Sequence, residues 1–485
     1  MDSSFIEPPT FKGWQLLKET ISHQEPGHLN APGYPLTEHD NPFDLFFPDN
    51  ILSQICNFTN ESYNNFIKTN QKQNSIIQDW YSLTIDELKT YIGVFLMMGI
   101  DKKPETSQYW STDGLWSSVL IRKSMSINRF FAINKFIEVG SKDITKKLER
   151  LNFLSNHIKS VSQSLYFPSK KLLIGRSQFD SKAKYTFKNY PTIKTQKLGF
   201  KVFFLSEPGT GYCIKHLFYK GDKGENLKPF NLAKKLVEGL DHSYKHIFAD
   251  KWFSSLDLVK YLKSVGINYT GTIKSSMKGL PTIDAVKNEL KDQKILFFMK
   301  NNLNLVVWED KQTVTMISNV VDTEFILETR LGKLRVKKDF YMPKIFKDYK
   351  VHIDGVDLLD QRFMYYCYDH YFKKPWKYFF LYLVEIAINN SFVIQNKGRN
   401  VFGKSLLSYI DYRIELIKSL VNSKEIEMDK GICEVEYKHY LIKSEAKNCF
   451  ICFRERKKSK CNFYCNGCCE FMHKECFLLE HNLLK

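Results

Sequence analysis

The chain has 485 residues, 71 Lys+Arg against 53 Asp+Glu and a formal net charge of +18, enough length for roughly two to four domains with at least one sizeable core. That charge favours an acidic polymer as partner, because counterions released from a phosphate backbone drive binding. Met1–Gly13 has no basic start followed by an apolar run, and the richest apolar stretches, Tyr91–Met98 and Tyr378–Ile388, fall short of the roughly 18 residues of a membrane span, so a soluble intracellular protein with no secretory signal and no membrane partner is expected.

Residues 1–40, with Pro8, Pro9, Pro26, Pro32 and Pro35, read as a flexible tail, and structure is expected from Asn41-Pro42-Phe43. From there to about Val139 the apolar spacing is helical: Ile51, Ile55, then Ile85, Leu88, Tyr91, Ile92 and Val94-Phe95-Leu96. Thr84 precedes Asp86 and Glu87 as an N-cap with an acidic first turn. A different rhythm begins near Lys170. Leu172-Leu173-Ile174, Lys201–Leu205 and Tyr212–Phe218 are short apolar runs, the last two joined by Pro208-Gly209-Thr210-Gly211, a hairpin by its turn chemistry. A helix over Leu227–Leu240, a strand His246–Ala249 ending at Asp250, a helix over Leu256–Val265 and a strand over Asn268–Ile273 follow. Three meander strands, then helix, strand, helix and strand, predict an RNase H-like fold.

Between Lys274 and Lys350 the alternating runs Ile295–Phe298, Leu305–Trp308 and Val314–Val321 predict a β-rich insertion. Helical character returns at Val356 and continues, with a break near Pro375, from Trp376 to Phe392, and residues 401–445 read as short helices and linker. Of the 11 cysteines, Cys449, Cys452, Cys461, Cys465, Cys468, Cys469 and Cys476 crowd the final stretch. Clustering beside histidines indicates a metal site in a reducing compartment rather than a disulfide scaffold. Cys449-x2-Cys452, Cys465-x2-Cys468 and His473-x2-Cys476, followed by His481, give successive ligand pairs suited to tetrahedral zinc. Arg454, Arg456, Lys457, Lys458 and Lys460 form a basic loop between them, and Lys373, Lys374 and Lys377 surround Trp376. A charge run is usually a solvated face, and Trp376 fits the core better than base stacking.

A two-metal nuclease needs three or four carboxylates converging from distant segments. Asp250 ends a strand, where sites assemble in α/β sheets, although a lone aspartate there is usually a cap. Asp357 and Asp360 lie three apart on one helical face and can reach one metal.

Phe248-Ala249-Asp250-Lys251-Trp252-Phe253-Ser254-Ser255 and Gly355-Val356-Asp357-Leu358-Leu359-Asp360-Gln361 resemble the two downstream catalytic motifs of piggyBac-type DDE transposases. Asn41–Pro48, Tyr109-Trp110-Ser111-Thr112-Asp113, Tyr269-Thr270-Gly271-Thr272 and Pro375-Trp376 extend the resemblance from residue 41 towards the C-terminus. It implies a multidomain α+β protein: tail 1–40, helical DNA-binding and dimerisation domain 41–160, RNase H-like catalytic core 165–275 and 351–400 with β-rich insertion 276–350, helical linker 401–445 and a cross-brace zinc domain 446–485. The resemblance also implies double-stranded DNA as partner, a homodimer or heteromer with related transposases, nuclear location, and DNA contact by the basic loop; Lys373 and Lys374 are a second candidate DNA contact. It assigns Cys449, Cys452, His473 and Cys476 to one zinc ion and Cys465, Cys468 and His481 to a second, with Cys461 the preferred fourth ligand there and Cys469 the runner-up.

The departure lies at the first acidic station. Counting back from Lys197-Leu198-Gly199-Phe200-Lys201, the family's first catalytic aspartate falls on Gly175 and its acidic neighbour on Arg176. The resemblance then implies a DNA-binding protein with strand transfer lost or crippled, and Mg²⁺ at Asp250, Asp357 and Asp360 only if the acidic site functions. Asp180, expected in a loop, and Glu207 are weak substitutes. The alternatives are an active cut-and-paste transposase at TTAA targets and a zinc-dependent interaction module.

Overall fold

The computed structural model describes residues 15–16, 41–69, 80–113, 116–141, 149–180, 199–218, 228–240, 245–291, 293–310, 312–331, 337–353, 355–366, 375–421, 441–449, 451–452, 457, 459–465 and 470–480. The chain divides into two compact units, Met1–Val421 and Asn422–Lys485.

In the first unit, strand β1 (Gln15–Leu16) precedes, among the described residues, the helices α1 (Pro42–Phe46), α2 (Asp49–Thr69), α3 (Ile85–Ile100), α4 (Val119–Ser124) and α5 (Ile127–Phe136). Their starts follow the expected capping chemistry. The Asn41 side chain accepts the Phe43 N–H, and Thr84 accepts the Glu87 N–H, each satisfying an orphan donor of a first helical turn. Arg129 on α5 then reaches back to Glu87, its guanidinium lying over the rings of Trp80 and Tyr81.

After α6 (Asn152–Leu165), strands β2 (Lys171–Asp180), β3 (Gly199–Ser206) and β4 (Cys213–Phe218) form the expected antiparallel meander. The β3–β4 connection closes through N–H donations from Gly211 to the Glu207 carbonyl and from Glu207 to the Tyr212 carbonyl. Gly209 and Gly211 adopt φ of 80° and 74°, a region side chains disfavour. Helix α7 (Pro229–Val237), β5 (His246–Ala249), α8 (Leu256–Ser264) and β6 (Asn268–Thr272) follow, with β2, β5 and β6 parallel. Crossover helices are what parallel neighbours require.

Helix α9 (Ile283–Leu290) leads to β7 (Ile295–Lys300), β8 (Leu303–Glu309) and β9 (Thr313–Ser318). These strands do not stand apart: β9 pairs antiparallel with β6, which makes one mixed sheet in the order β1-β7-β8-β9-β6-β5-β2-β3-β4. The ribbon β10 (Phe325–Leu331) and β11 (Lys337–Pro343) packs Ile326, Phe340 and Met342 with Phe297, Val306 and Trp308 in a satellite core.

Helices α10 (Lys344–Ile353), α11 (Gly355–Tyr366), α12 (Pro375–Val401) and α13 (Tyr409–Leu420) complete the unit. Helix α12 exceeds the apolar length read from the sequence: Trp376–Val401 is long and apolar enough to cross a membrane by composition, but 94% of its apolar window is buried in the fold. The polar residues inside that window explain why the run looked shorter, and they are satisfied internally. Asn390 bonds both the N–H and the C=O of Cys213, Asn389 bonds the Gly211 carbonyl, and Glu385 holds Arg413. The second unit is a three-stranded sheet, β12 (Leu441–Asn448), β13 (Lys460–Cys465) and β14 (Glu470–Phe471), with helix α14 (Lys474–Glu480).

Candidate catalytic centre and metal site

Asp250 follows the last residue of β5 at the carboxyl end of the parallel strands. Ile174 pairs with Ala249 and Ala249 with Gly271, so one residue further Gly175 stands level with Asp250. The rung before it is tight: a Cβ on Gly271, level with Ala249, would lie 2.5 Å from the Tyr269 hydroxyl and 2.6 Å from that of Ser254. Asp250 Oδ1 accepts the N–H of Trp252 at 3.0 Å and of Phe253 at 3.4 Å, while its backbone carbonyl accepts the Ser254 hydroxyl at 3.0 Å. Asp250 thus closes the turn after β5, while the helix cap expected of a lone aspartate there falls to Ser255, whose hydroxyl accepts the Leu258 N–H. Oδ2 lies 3.8 Å from Arg176 Nε, with both side chains 39% exposed. The Arg176 guanidinium sits 5.1 Å over the Trp252 ring. Trp252 in turn stacks on Phe203, the cross-strand partner of Arg176.

Alternate residues of a strand face opposite ways, which divides β2 into two chemistries. Arg176 shares its face with Phe203 and Trp252. Gly175 shares its face with Ser177, and that face meets α12 and α11: Ser177 interacts with Tyr382, whose buried phenol is pushed well up by desolvation and then by the Asp360 charge. Phe363 of α11 packs on the same ring with centroids 4.7 Å apart. Asp360 is thus half-buried near the Gly175 face. The Asp357 side chain lies outside the described residues. Burial raises the Tyr349 hydroxyl to about 12; the Thr272 hydroxyl bonded to it counters the shift, and the Asp250 charge adds to it.

The two substitute acids are placed elsewhere. Asp180 is the last residue of β2, paired with Gly199, so the loop expected there is strand; the meander runs longer than its apolar core. Glu207 lies just past β3, three rungs from Gly175, and already accepts from Tyr166 Oη at 2.5 Å, Ser169 N at 2.8 Å and Thr210 Oγ1 at 2.8 Å.

In the second unit, the ligand atoms of Cys449, Cys452, His473 and Cys476 all lie within 4.8 Å of one another. Tetrahedral bonds of about 2.3 Å to sulfur and 2.0 Å to nitrogen put neighbouring donors roughly 3.5–3.8 Å apart. Cys452 Sγ lies 3.8 Å from Cys476 Sγ and 3.5 Å from His473 Nδ1. The S₃N set can hold a metal ion and suits zinc. His473 Nε2 meets the Lys460 carbonyl at 3.0 Å, which fixes the proton on Nε2 and leaves Nδ1 free to ligate. Burial opposes ionisation of Cys449, but hydrogen bonds from the Cys452 and His473 backbone and from the Cys476 and Cys452 thiols outweigh it and bring the thiol down to about 6. Burial raises Cys476 to about 12, and its bonds to the Cys449 and Cys452 thiols add to this.

Cys461 is buried on β13 and interacts with Cys449, so its thiol lies against the first ligand set rather than apart from it. Cys465 is also buried on β13; Cys468, Cys469 and His481 lie outside the described residues, as do Arg454, Arg456, Lys458, Lys373 and Lys374. Lys457 and Lys460 are exposed. Trp376 is a core residue, and Lys377 is tied to the Asn134 backbone and side chain.

The sequence profile of the family described as Transposase IS4 matches residues 41–392. The chain belongs to the piggyBac transposase family. Human piggyBac transposable element-derived protein 2 is 23% identical over 407 residues, covering 79% of this chain and 64% of the relative. Human piggyBac transposable element-derived protein 5 is 23% identical over 377 residues, covering 73% and 70%. The chain therefore spans less than two thirds of the first relative's length. Among solved structures, a piggyBac transposase in a synaptic complex with hairpin DNA superposes with a TM-score of 0.64 at 22% identity, over 80% of this chain and 82% of that one.

Within this family fold, the Cys₃His set expected from the sequence comes together and Gly175 and Asp250 fall at one level of the sheet, but sequence reasoning missed two features. The Arg176–Trp252–Phe203 stack depends on cross-strand register, which a linear pattern does not reveal. The approach of Cys461 to Cys449 depends on β12–β13 pairing in the same way; its only linear signal is the spacing of Cys461 ahead of Cys465.

Proposed function

We propose that this chain is a DNA-binding member of the piggyBac family that grips DNA without cutting it, acting in the nucleus as a chromatin factor or as a non-cutting subunit beside related transposases. The order of antiparallel meander, then parallel strands with crossover helices, supports an RNase H-like core. The net charge of +18 and the DNA held by the structural relative support a double-stranded DNA partner. A zinc ion on Cys449, Cys452, His473 and Cys476 would supply folding energy to the small second unit.

One observation carries the reading. On the rung where two acids would face a metal pair, Gly175 offers no donor, and Arg176 already places a cation against Asp250. The residues at these two stations do not fit a magnesium pair: Asp250 spends Oδ1 on backbone N–H groups and turns Oδ2 to Arg176. Removing one carboxylate from a two-metal site forfeits several kcal/mol of transition-state stabilisation, or roughly three decades of rate.

The test is an assay of the purified full chain on duplex DNA carrying the element's ends. Binding should persist with no Mg²⁺ or Mn²⁺ added, and no nicks should form when either ion is supplied. Robust nicking that disappears on Asp250→Ala refutes the proposal.

A further inference from the structure

Cys461 brings a fifth donor to the edge of the Cys₃His set. It is buried and belongs to the same apolar cluster as Cys449. The pairing of β12 with β13 sets its position. Lys447 is level with Cys461 and Asn448 with Lys460, and beyond the last paired rung Cys449 still donates its N–H to the Ser459 carbonyl at 2.9 Å. Opposed residues share a face and alternate residues return to it, so Cys449 and Cys461 look to the same side of the ribbon. Their thiols lie within hydrogen-bonding reach of each other, and Cys461 Sγ donates to the Phe463 carbonyl at 3.7 Å. His473 borders the same stretch: its Nε2 meets the carbonyl of Lys460, the residue before Cys461, at 3.0 Å and Ser459 Oγ at 3.3 Å.

The strand that brings Cys461 to this site also separates it from Cys465. Both lie on β13, four residues apart, and an extended chain advances about 3.3 Å per residue, so roughly 13 Å separates their backbones. Two cysteine side chains with metal–sulfur bonds of about 2.3 Å do not close that span. Cys461 is therefore placed for the first ligand set and not for a second ion shared with Cys465. Zinc has no preference from its d electrons among tetrahedral donor sets, and Cys₄ serves it as well as Cys₃His. The resident imidazole is the partly exposed partner here, whereas Cys461 is buried. An imidazole that swings towards solvent leaves a position bordered by the spare thiol.

We propose that Cys461 is a reserve ligand of this metal centre, which takes the place of His473 and converts a Cys₃His site into a Cys₄ site without releasing the ion. In the exchange the metal–nitrogen bond breaks, a metal–sulfur bond forms, and the thiol proton passes to the released imidazole or to water. The proposal rests on the zinc reading and adds the residue that keeps the ion when the imidazole is lost.

The experiment loads the purified full chain with Co²⁺ in place of zinc and records thiolate-to-metal charge transfer and the visible d–d bands, which report how many sulfurs surround the ion. His473→Cys in a Cys461→Ser background is the four-sulfur standard. Cys461→Ser alone should keep the spectrum of the unaltered chain. His473→Ala should bind as much Co²⁺ and move to the spectrum of the standard, and His473→Ala/Cys461→Ser should not reach it. Zinc retention against a competing chelator is the second reading, and it decides where the standard does not load: the double variant should give up zinc at a lower chelator concentration than His473→Ala. Equal spectra or equal retention in those two variants overturns the reserve role and leaves the zinc reading standing. A Cys461→Ser spectrum with one sulfur fewer overturns it as well, because Cys461 is then a resident ligand. A full chain that takes up Co²⁺ with no thiolate charge transfer overturns both.

Discussion

Asp250→Asn separates the two duties of this carboxylate. An amide oxygen can keep the hydrogen bonds from the Trp252 and Phe253 N–H groups, so the turn after β5 survives. What disappears is the charge facing Arg176 at 3.8 Å, in a pair whose side chains are both 39% exposed. Ion pairs so open to solvent contribute about 0–1 kcal/mol. The expected cost is therefore under about 1 kcal/mol, the same in EDTA and in Mg²⁺. A working metal site behaves differently: ion at 100 times its dissociation constant stabilises the folded state by about 2.7 kcal/mol, and losing a ligand abolishes that gain. Urea unfolding of the first unit, followed by tryptophan emission with and without Mg²⁺, distinguishes the two. Magnesium stabilisation of the unaltered chain by more than about 2 kcal/mol that vanishes in Asp250→Asn would refute the reasoning.

Glu385→Gln should cost about 3–5 kcal/mol, because it strands the fully buried Arg413 guanidinium now held at 2.6 and 3.0 Å; urea midpoints check this, and Glu385→Leu with Arg413→Met should recover most of the loss. His216, bonded to Ser155 at 2.9 Å, is lowered from 6.5 to about 3 by burial and by the charge on Lys159. The unfolded imidazole therefore takes up its proton first, and stability present above pH 6.5 is lost as pH falls towards about 3. His216→Gln should flatten that slope in a pH series of melting curves. Chelation, or Cys452→Ser, should unfold the second unit and leave the first unit's transition in place, read by zinc analysis and limited proteolysis; a chain with no bound zinc and an unchanged proteolytic pattern contradicts the metal site.

Much of the fold was legible because its signals are local. Thr84 and Asn41 announce helix starts by chemistry that acts within three residues, and β5 ends at Ala249 because the apolar run ends there. Length estimates failed where buried polarity or paired backbone interrupted the pattern. Glu385, Asn389 and Asn390 break the apolar run of α12, yet each is satisfied inside the fold. Polar residues near Asp180 disguise the end of a strand that β3 holds in register. The site divides in the same way. The Cys449–Cys452 and His473–Cys476 pairs are adjacent in sequence, so their spacing reveals them. The match of Gly175 to the first acidic station was reached by counting, but the placement of Arg176 against Asp250 and over Trp252 is written only in the pairing of β2 with β3 and β5.

Crystals of the chain soaked in manganese, with anomalous scattering recorded at the carboxyl end of β5, measure occupancy of the altered centre directly. No bridged ion pair at Asp250 is predicted, with Arg176 still against the carboxylate. Two fully occupied ions sharing Asp250 and another acid would contradict the account.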